Sequence, residues 1–113
     1  MTAYAIAHLR QPGVIHPEVG EYLRRIQSTL DPFGGRFLVH GAQAQVLEGV
    51  WPGPIVVVGF PDLDAARRWY DSPSYREILP LRTDHLVGDV VLIEGVGPEH
   101  DSAKLADDLF GEG

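Results

Sequence analysis

Ile55-Val56-Val57-Val58-Gly59-Phe60-Pro61-Asp62 decides the fold of this chain. Six residues that are apolar on both faces, four of them β-branched, are too few for a buried helix. They suit a strand covered on both sides, in the middle of a sheet. Pro61 closes the strand, and Asp62 is the natural cap for a helix carrying Leu63, Ala66, Trp69 and Tyr70 on one stripe. Ser72-Pro73 restarts that helix at a new angle with Tyr75, Ile78 and Leu79, and Pro80 is expected to stop it.

Working outward, Thr2 to Leu9 alternates, with Tyr4, Ile6 and His8 on one face and Ala3, Ala5, Ala7 and Leu9 on the other. Period two predicts a strand, and its small alanine side lets a helix pack closely. Gln11-Pro12-Gly13 breaks the chain. Pro17 then opens a helix whose stripe is Val19, Tyr22, Leu23, Ile26 and Leu30. Asp31-Pro32-Phe33-Gly34-Gly35 ends it. Arg36 to Gly41 predicts a second strand, with Phe37 and Val39 opposite Leu38 and His40. Gln43 to Glu48 is expected to extend it past a bulge near Gly41, and Pro52-Gly53-Pro54 turns the chain. Val87 to Gly95 is the last strand, with Val90, Leu92 and Glu94 opposite Val91 and Ile93. From Gly97 the chain turns polar and acidic, with Asp101, Asp107, Asp108 and Glu112. One weak amphipathic stretch runs through Leu105, Ala106, Leu109 and Phe110. Residues 1–96 are therefore assigned to one α+β domain and 97–113 to an acidic C-terminal tail.

The order β-α-β-β-α-β has a simple solution. It is the ferredoxin-like sandwich, a four-stranded antiparallel sheet with its helices on one face. The other face then lies open with apolar residues on it, and a second copy packed sheet to sheet as a homodimer would cover it.

Composition narrows the class. At 113 residues, with two Trp, four Tyr and four Phe, the chain suffices for one domain and one core. No cysteine is present, which excludes disulfides, thiolate metal sites and thiol nucleophiles. The net charge of −7 argues against nucleic acid as partner. No apolar run approaches a membrane span, and no signal-peptide pattern opens the chain. A soluble, cytoplasmic protein with no membrane partner is expected.

Several short motifs stand in register: Gly34-Gly35-Arg36-Phe37-Leu38-Val39, Leu47-Glu48-Gly49, Phe60-Pro61, Trp69-Tyr70-Asp71-Ser72-Pro73-Ser74-Tyr75, Leu79-Pro80-Leu81-Arg82 and Glu94-Gly95. In these the chain resembles the bacterial domain-of-unknown-function family 1330 of the dimeric α/β-barrel superfamily, over about Ala3 to Gly95. The resemblance implies a ferredoxin-like protomer, a homodimer and no established activity. The wider superfamily holds cofactor-free monooxygenases, isomerases, cyclases and haem enzymes, so the fold barely narrows the chemistry. His40 and His85 depart from what the resemblance leads one to expect, an arginine and a small residue.

The fourteen residues Trp69 to Arg82 crowd three aromatic rings and an arginine together, which marks them as the wall of a small-molecule pocket. Arg82 would bind an anionic group bidentately there. The alternative is an internal ion pair with Glu48 or Asp71. Trp69, Tyr70 and Tyr75 would stack on a planar ligand, or else form the apolar face of two short helices. Tyr70 and His40 are the candidates for moving a proton, although a histidine at position 40 is more often a core residue bonded to a backbone carbonyl. His85 is a candidate ligand contact, close to His8 if the outer strands bring the two together. His8, His16, His40, His85 and His100 show no metal-binding spacing, so no metal and no cofactor are expected. Glu48 and Glu94 are expected at solvated strand ends. Gly34-Gly35 lacks phosphate-loop context and is turn chemistry. The leading expectation is thus a homodimer with an anionic or aromatic ligand. The alternative is a non-enzymatic association module acting through its dimer surface or its tail.

Overall fold

The structure is a computed structural model that describes residues 2–10 and 13–111. Gln11 and Pro12 of the expected chain break, and Glu112 of the acidic tail, lie outside the described residues. The elements are β1 (Ala3–Arg10), α1 (Pro17–Leu30), β2 (Arg36–Val39), β3 (Ile55–Phe60), α2 (Leu63–Asp71), α3 (Pro73–Thr83), β4 (Val87–Glu94) and α4 (Ser102–Phe110). The strands form one sheet in the order β2-β3-β1-β4, with every neighbouring pair antiparallel. This is the expected ferredoxin-like α+β sheet, with β3 and β1 at its centre.

The register explains the layering. Ala5 pairs with Val58 on one side and Leu92 on the other, so these side chains share a face. Ala5, Val58 and Phe60 are buried there against Tyr22, Ile26 and Leu30 of α1, Ala65, Ala66 and Trp69 of α2, and Tyr75 and Ile78 of α3. Ala3 and Ala5 let the helices sit close. The other face carries Tyr4, Ile6, Ile55, Val57, Leu38, Val91 and Ile93, and no helix or strand among the described residues covers it. Val91 and Ile93 are more than half exposed.

Local chemistry sets the helix ends. Asp62 caps α2 by accepting the Ala65 N–H at 2.7 Å. Ser72, held extended by the proline after it, accepts the Tyr75 N–H and donates to the Trp69 carbonyl, so it joins α2 to α3. The Asp31–Phe33 segment is a short 3₁₀ turn after α1, closed by Gly34 at φ 70°. Gly35 follows where a Cβ would meet Phe60 and Leu30 at under 3 Å. Only glycine fits both demands.

Two expectations need correction. Pro80 does not stop α3, which runs to Thr83. Proline removes one hydrogen bond, but Ile78 and Arg82 are buried on the same helix, and the Asp84 N–H still reaches the Pro80 carbonyl at 3.1 Å. Gln43 to Glu48 does not extend β2, because β3 begins at Ile55 and Val39 already pairs with Val57. A longer β2 would have no ladder to join. Residues 40–54 form a loop that leaves Val46, Leu47, Val50 and Trp51 exposed.

The acidic tail does form a helix, α4, whose Asp101 cap accepts the Ala103 N–H at 2.8 Å. None of its residues is buried. The radius of gyration, 16.5 Å, exceeds the ~13 Å of a compact chain this size. No helix among the described residues is long and apolar enough to cross a membrane.

Candidate functional site

A cavity of about 60 Å³ lies between the sheet and the helices. Its floor is Ala5, Ala7 and Leu9 of β1 with Val56, Val58 and Val90 beside them. The small β1 side chains that let helices approach thus also leave room. Tyr22, Ile26, Trp69 and Tyr75 form the roof, while Leu23, Phe37 and His40 stand at the edge. Leu23 and His40 are exposed, so the mouth opens there.

The polar end of this apolar space is Tyr22, Tyr75 and Arg82. The two tyrosine hydroxyls share a 2.7 Å hydrogen bond, and the Arg82 Nη2 donates to the Tyr75 Oη at 3.5 Å. The guanidinium lies 5.5 Å from the centre of the Tyr22 ring. Burial pushes the Tyr22 hydroxyl far above its usual pKa, with the Tyr75 oxygen adding to the effect. Burial works against the Arg82 charge, but the oxygens of Tyr22 and Tyr75 outweigh it and hold the pKa above the ordinary value. Both groups therefore keep fixed protonation states near neutral pH.

Arg82 is only 5% exposed, yet it forms no ion pair with a carboxylate among the described residues. The expected partners are elsewhere. Asp71 pairs with Arg67 at 2.9 Å and Arg76 at 3.2 Å, and Glu48 is exposed in the 40–54 loop rather than at a strand end. Among the described residues no enclosed side-chain nitrogen or oxygen lacks a partner. The guanidinium edges without a hydrogen bond therefore border accessible space rather than packed protein.

The other expected site residues divide. Trp69 is buried at the cavity, with its Nε1–H donating to the Thr29 Oγ1 at 3.0 Å. His40 is not a core histidine bonded to a carbonyl. It is exposed at the mouth and stacked on Phe37 at 4.1 Å between centroids, because the chain leaves the sheet after Val39. Tyr70 is absent from the lining and packs outside the cavity under the Arg76 guanidinium at 4.7 Å. Glu94 ends β4 and is exposed. Tyr22, which sequence alone placed only on a helix stripe, completes the polar end. A tyrosine on an otherwise aliphatic stripe was its one signal.

His85 is not at this cavity and does not approach His8, which lies against Trp51 and bonds to the Pro52 carbonyl at 3.0 Å. Instead His85 stacks on His16, with centroids 3.7 Å apart and planes 7° from parallel. Its Nε2 lies 2.7 Å from the Glu18 Oε1, and the hydrogen bond and charge of His85 hold the Glu18 pKa below the usual carboxylate range. His16 caps α1, its Nδ1 accepting the Glu18 N–H at 3.1 Å.

With this geometry established, likeness to known proteins adds the family. The family described as Domain of unknown function (DUF1330) matches residues 2–96. The chain belongs to that family. No curated protein matches this DUF1330 chain in sequence. Among solved structures it is similar to RPA0582, a protein of unknown function from Rhodopseudomonas palustris. The TM-score is 0.66 at 16% identity, over 86% of this chain and 84% of that one. It is similar also to a dimeric ferredoxin-like protein of unknown function from Thermobifida fusca, with TM-score 0.56, 20% identity, and coverage of 84% and 92%. SnoaB, a cofactor-independent oxygenase from Streptomyces nogalater, has TM-score 0.54 at 13% identity, over 88% of this chain and 96% of that one. At such identities the likeness establishes the fold and leaves the molecular function open.

Proposed function

We propose that this DUF1330 chain works as a homodimer in which each protomer binds a small carboxylate-bearing molecule between sheet and helices. One observation carries the ligand. A buried guanidinium with no counter-charge among the described residues faces an apolar cavity, and burying an unpaired charge is costly unless something neutralises it. A carboxylate at Arg82 and the Tyr75 hydroxyl would supply that charge bidentately. The cavity has room for roughly four to six waters, hence a few heavy atoms. A planar or apolar remainder would extend between Trp69 and the strand floor toward Leu23 and His40. His40, at the mouth, supplies an imidazole to the lining. Tyr70 and His85 have no part in this site.

The uncovered sheet face and the dimeric Thermobifida relative support a sheet-to-sheet homodimer. The lack of cysteine fits a cytoplasmic location. Native mass spectrometry of the freshly purified protein tests both parts of the reading. A dimer with one small acid retained per chain is expected. A monomer that binds none of a panel of short carboxylates, from acetate to benzoate, would sink it.

A second reading rests on α4. Leu105, Leu109 and Phe110 are at least half exposed on a helix that touches little of its own chain, as residues 97–113 would if they formed an association element separate from the 1–96 domain. Ending the chain after Gly97 should then abolish oligomerisation. An unchanged oligomeric state would exclude the tail and leave the sheet face.

A further inference from the structure

We propose that His16, Glu18 and His85 bind one divalent transition cation, such as Zn²⁺, at the junction of α1 and the end of α3. One ligand atom from each residue lies within 4.8 Å of the other two, and the donor set of two imidazoles and one carboxylate suits such an ion. The three residues come from two distant segments, with Glu18 and His85 separated by 67 positions. The fold assembles the set at a place where His85 and Glu18 are already in contact at 2.7 Å.

Binding needs only local movement. The two rings are stacked in nearly parallel planes, and imidazole lone pairs lie in the ring plane. One ring must therefore turn about its Cβ–Cγ bond to face a shared ion, and exposed His16 can do so by giving up its stack and its cap. Ligand atoms in a tetrahedral zinc site stand about 3.3 Å apart, so the widest separation closes by roughly 1.5 Å at most while the 2.7 Å His85–Glu18 contact opens by roughly 0.6 Å. The proton now shared between His85 Nε2 and Glu18 leaves as the ion takes its place. Three protein ligands leave a fourth position for water.

His16 makes the proposal specific. Its Nδ1 now accepts the Glu18 N–H as the cap of α1. If Nδ1 binds the ion, that hydrogen bond is lost. If Nε2 binds, the neutral ring carries its proton on Nδ1, and the bond is lost as well. Cation binding and capping at His16 thus exclude one another.

The test titrates the full chain with Zn²⁺ by calorimetry, and with Co²⁺ by its visible absorption. His16→Ser keeps a good cap while removing a ligand, and His85→Phe keeps the ring stack without one. One ion per chain is expected in the parent protein, with a tetrahedral Co²⁺ spectrum and a perturbed Glu18 amide by NMR. Each variant should bind more than about 100-fold more weakly, beyond what loss of a supporting contact alone costs. No binding to the parent chain would overturn the proposal. So would unchanged binding in His16→Ser, which would show that His16 is not a ligand. Neither result bears on the cavity site, whose lining includes none of His16, Glu18 and His85.

Discussion

Replacing Arg82 with Met separates a ligand site from a structural ion pair. Methionine preserves most of the aliphatic stem but removes the charge. In the free protein the guanidinium gives up three things when it goes. The 3.5 Å hydrogen bond to Tyr75 is longer than the 2.7–3.2 Å norm and is worth at most about 1 kcal/mol. The contact with the Tyr22 ring contributes about 0.5–2 kcal/mol. Looser packing subtracts a little more. Against these stands the desolvation of a charge at 5% exposure, several kcal/mol per ion and offset by no carboxylate among the described residues. Because the tyrosine oxygens compensate much of that cost, the balance stays within about 2 kcal/mol of zero, and the melting temperature moves by no more than several degrees. Affinity for the carboxylate should fall roughly 10- to 150-fold as a charge-assisted bond worth about 1.5–3 kcal/mol is lost. Urea unfolding and calorimetric titration with the acid retained in native mass spectrometry read the two quantities. A loss of 3–5 kcal/mol in stability would refute the reasoning, because that is the cost of breaking a buried pair. It would mean that Arg82 has a carboxylate partner in solution.

Thr29→Val should cost about 1–3 kcal/mol by urea unfolding, because it leaves the buried Trp69 Nε1–H without its acceptor at nearly constant side-chain volume. A cost below about 0.5 kcal/mol would show that the indole finds water instead. Asp71 has its pKa lowered, first by the Arg76 hydrogen bond and then by Arg67. A lowered folded-state value stabilises above the ordinary aspartate range, and the contribution is lost as pH falls through the lowered value. Asp71→Asn should therefore narrow its stability gap from the parent as pH drops below about 4. A gap that widens there would contradict the assignment.

How much was legible in the sequence depended on the range of the interaction. Asp62, Ser72 and Gly34 act within a few residues, and period-two patterning set both faces of β1 and β4, so element types and layering could be read directly. Pro80 misled because its local cost was outweighed by the burial of Ile78 and Arg82, which belongs to tertiary packing. Gln43 to Glu48 misled because alternation shows what a strand could bury and not whether a neighbour exists to pair with it. The crowded Trp69–Arg82 segment did mark the cavity wall at Trp69, Tyr75 and Arg82. It could not show that Tyr70, one residue on from Trp69, turns away, nor that Tyr22 supplies the other hydroxyl. The histidines were least legible, because a search by spacing finds only ligands on one element. His16 and His85 meet through the packing of α1 on α3.

The alternation of β4 also separates association from binding. Val90 lines the cavity, whereas Val91 and Ile93 lie on the uncovered face. One strand thus serves the ligand site with one set of side chains and the proposed dimer with the other. A charge on the open face, Ile93→Glu, should split the dimer, because it cannot be buried against an apolar partner without a counter-ion. The cavity floor is formed by the opposite side chains, so the same substitution should leave carboxylate affinity within about twofold. Combined with Arg82→Met, its effect on affinity should be additive, as expected for sites without shared partners. Non-additivity beyond about 0.5 kcal/mol would mean that the sheet transmits dimer contact to the cavity. In that case the two faces of β4 would form one coupled unit, and the ligand would report on assembly.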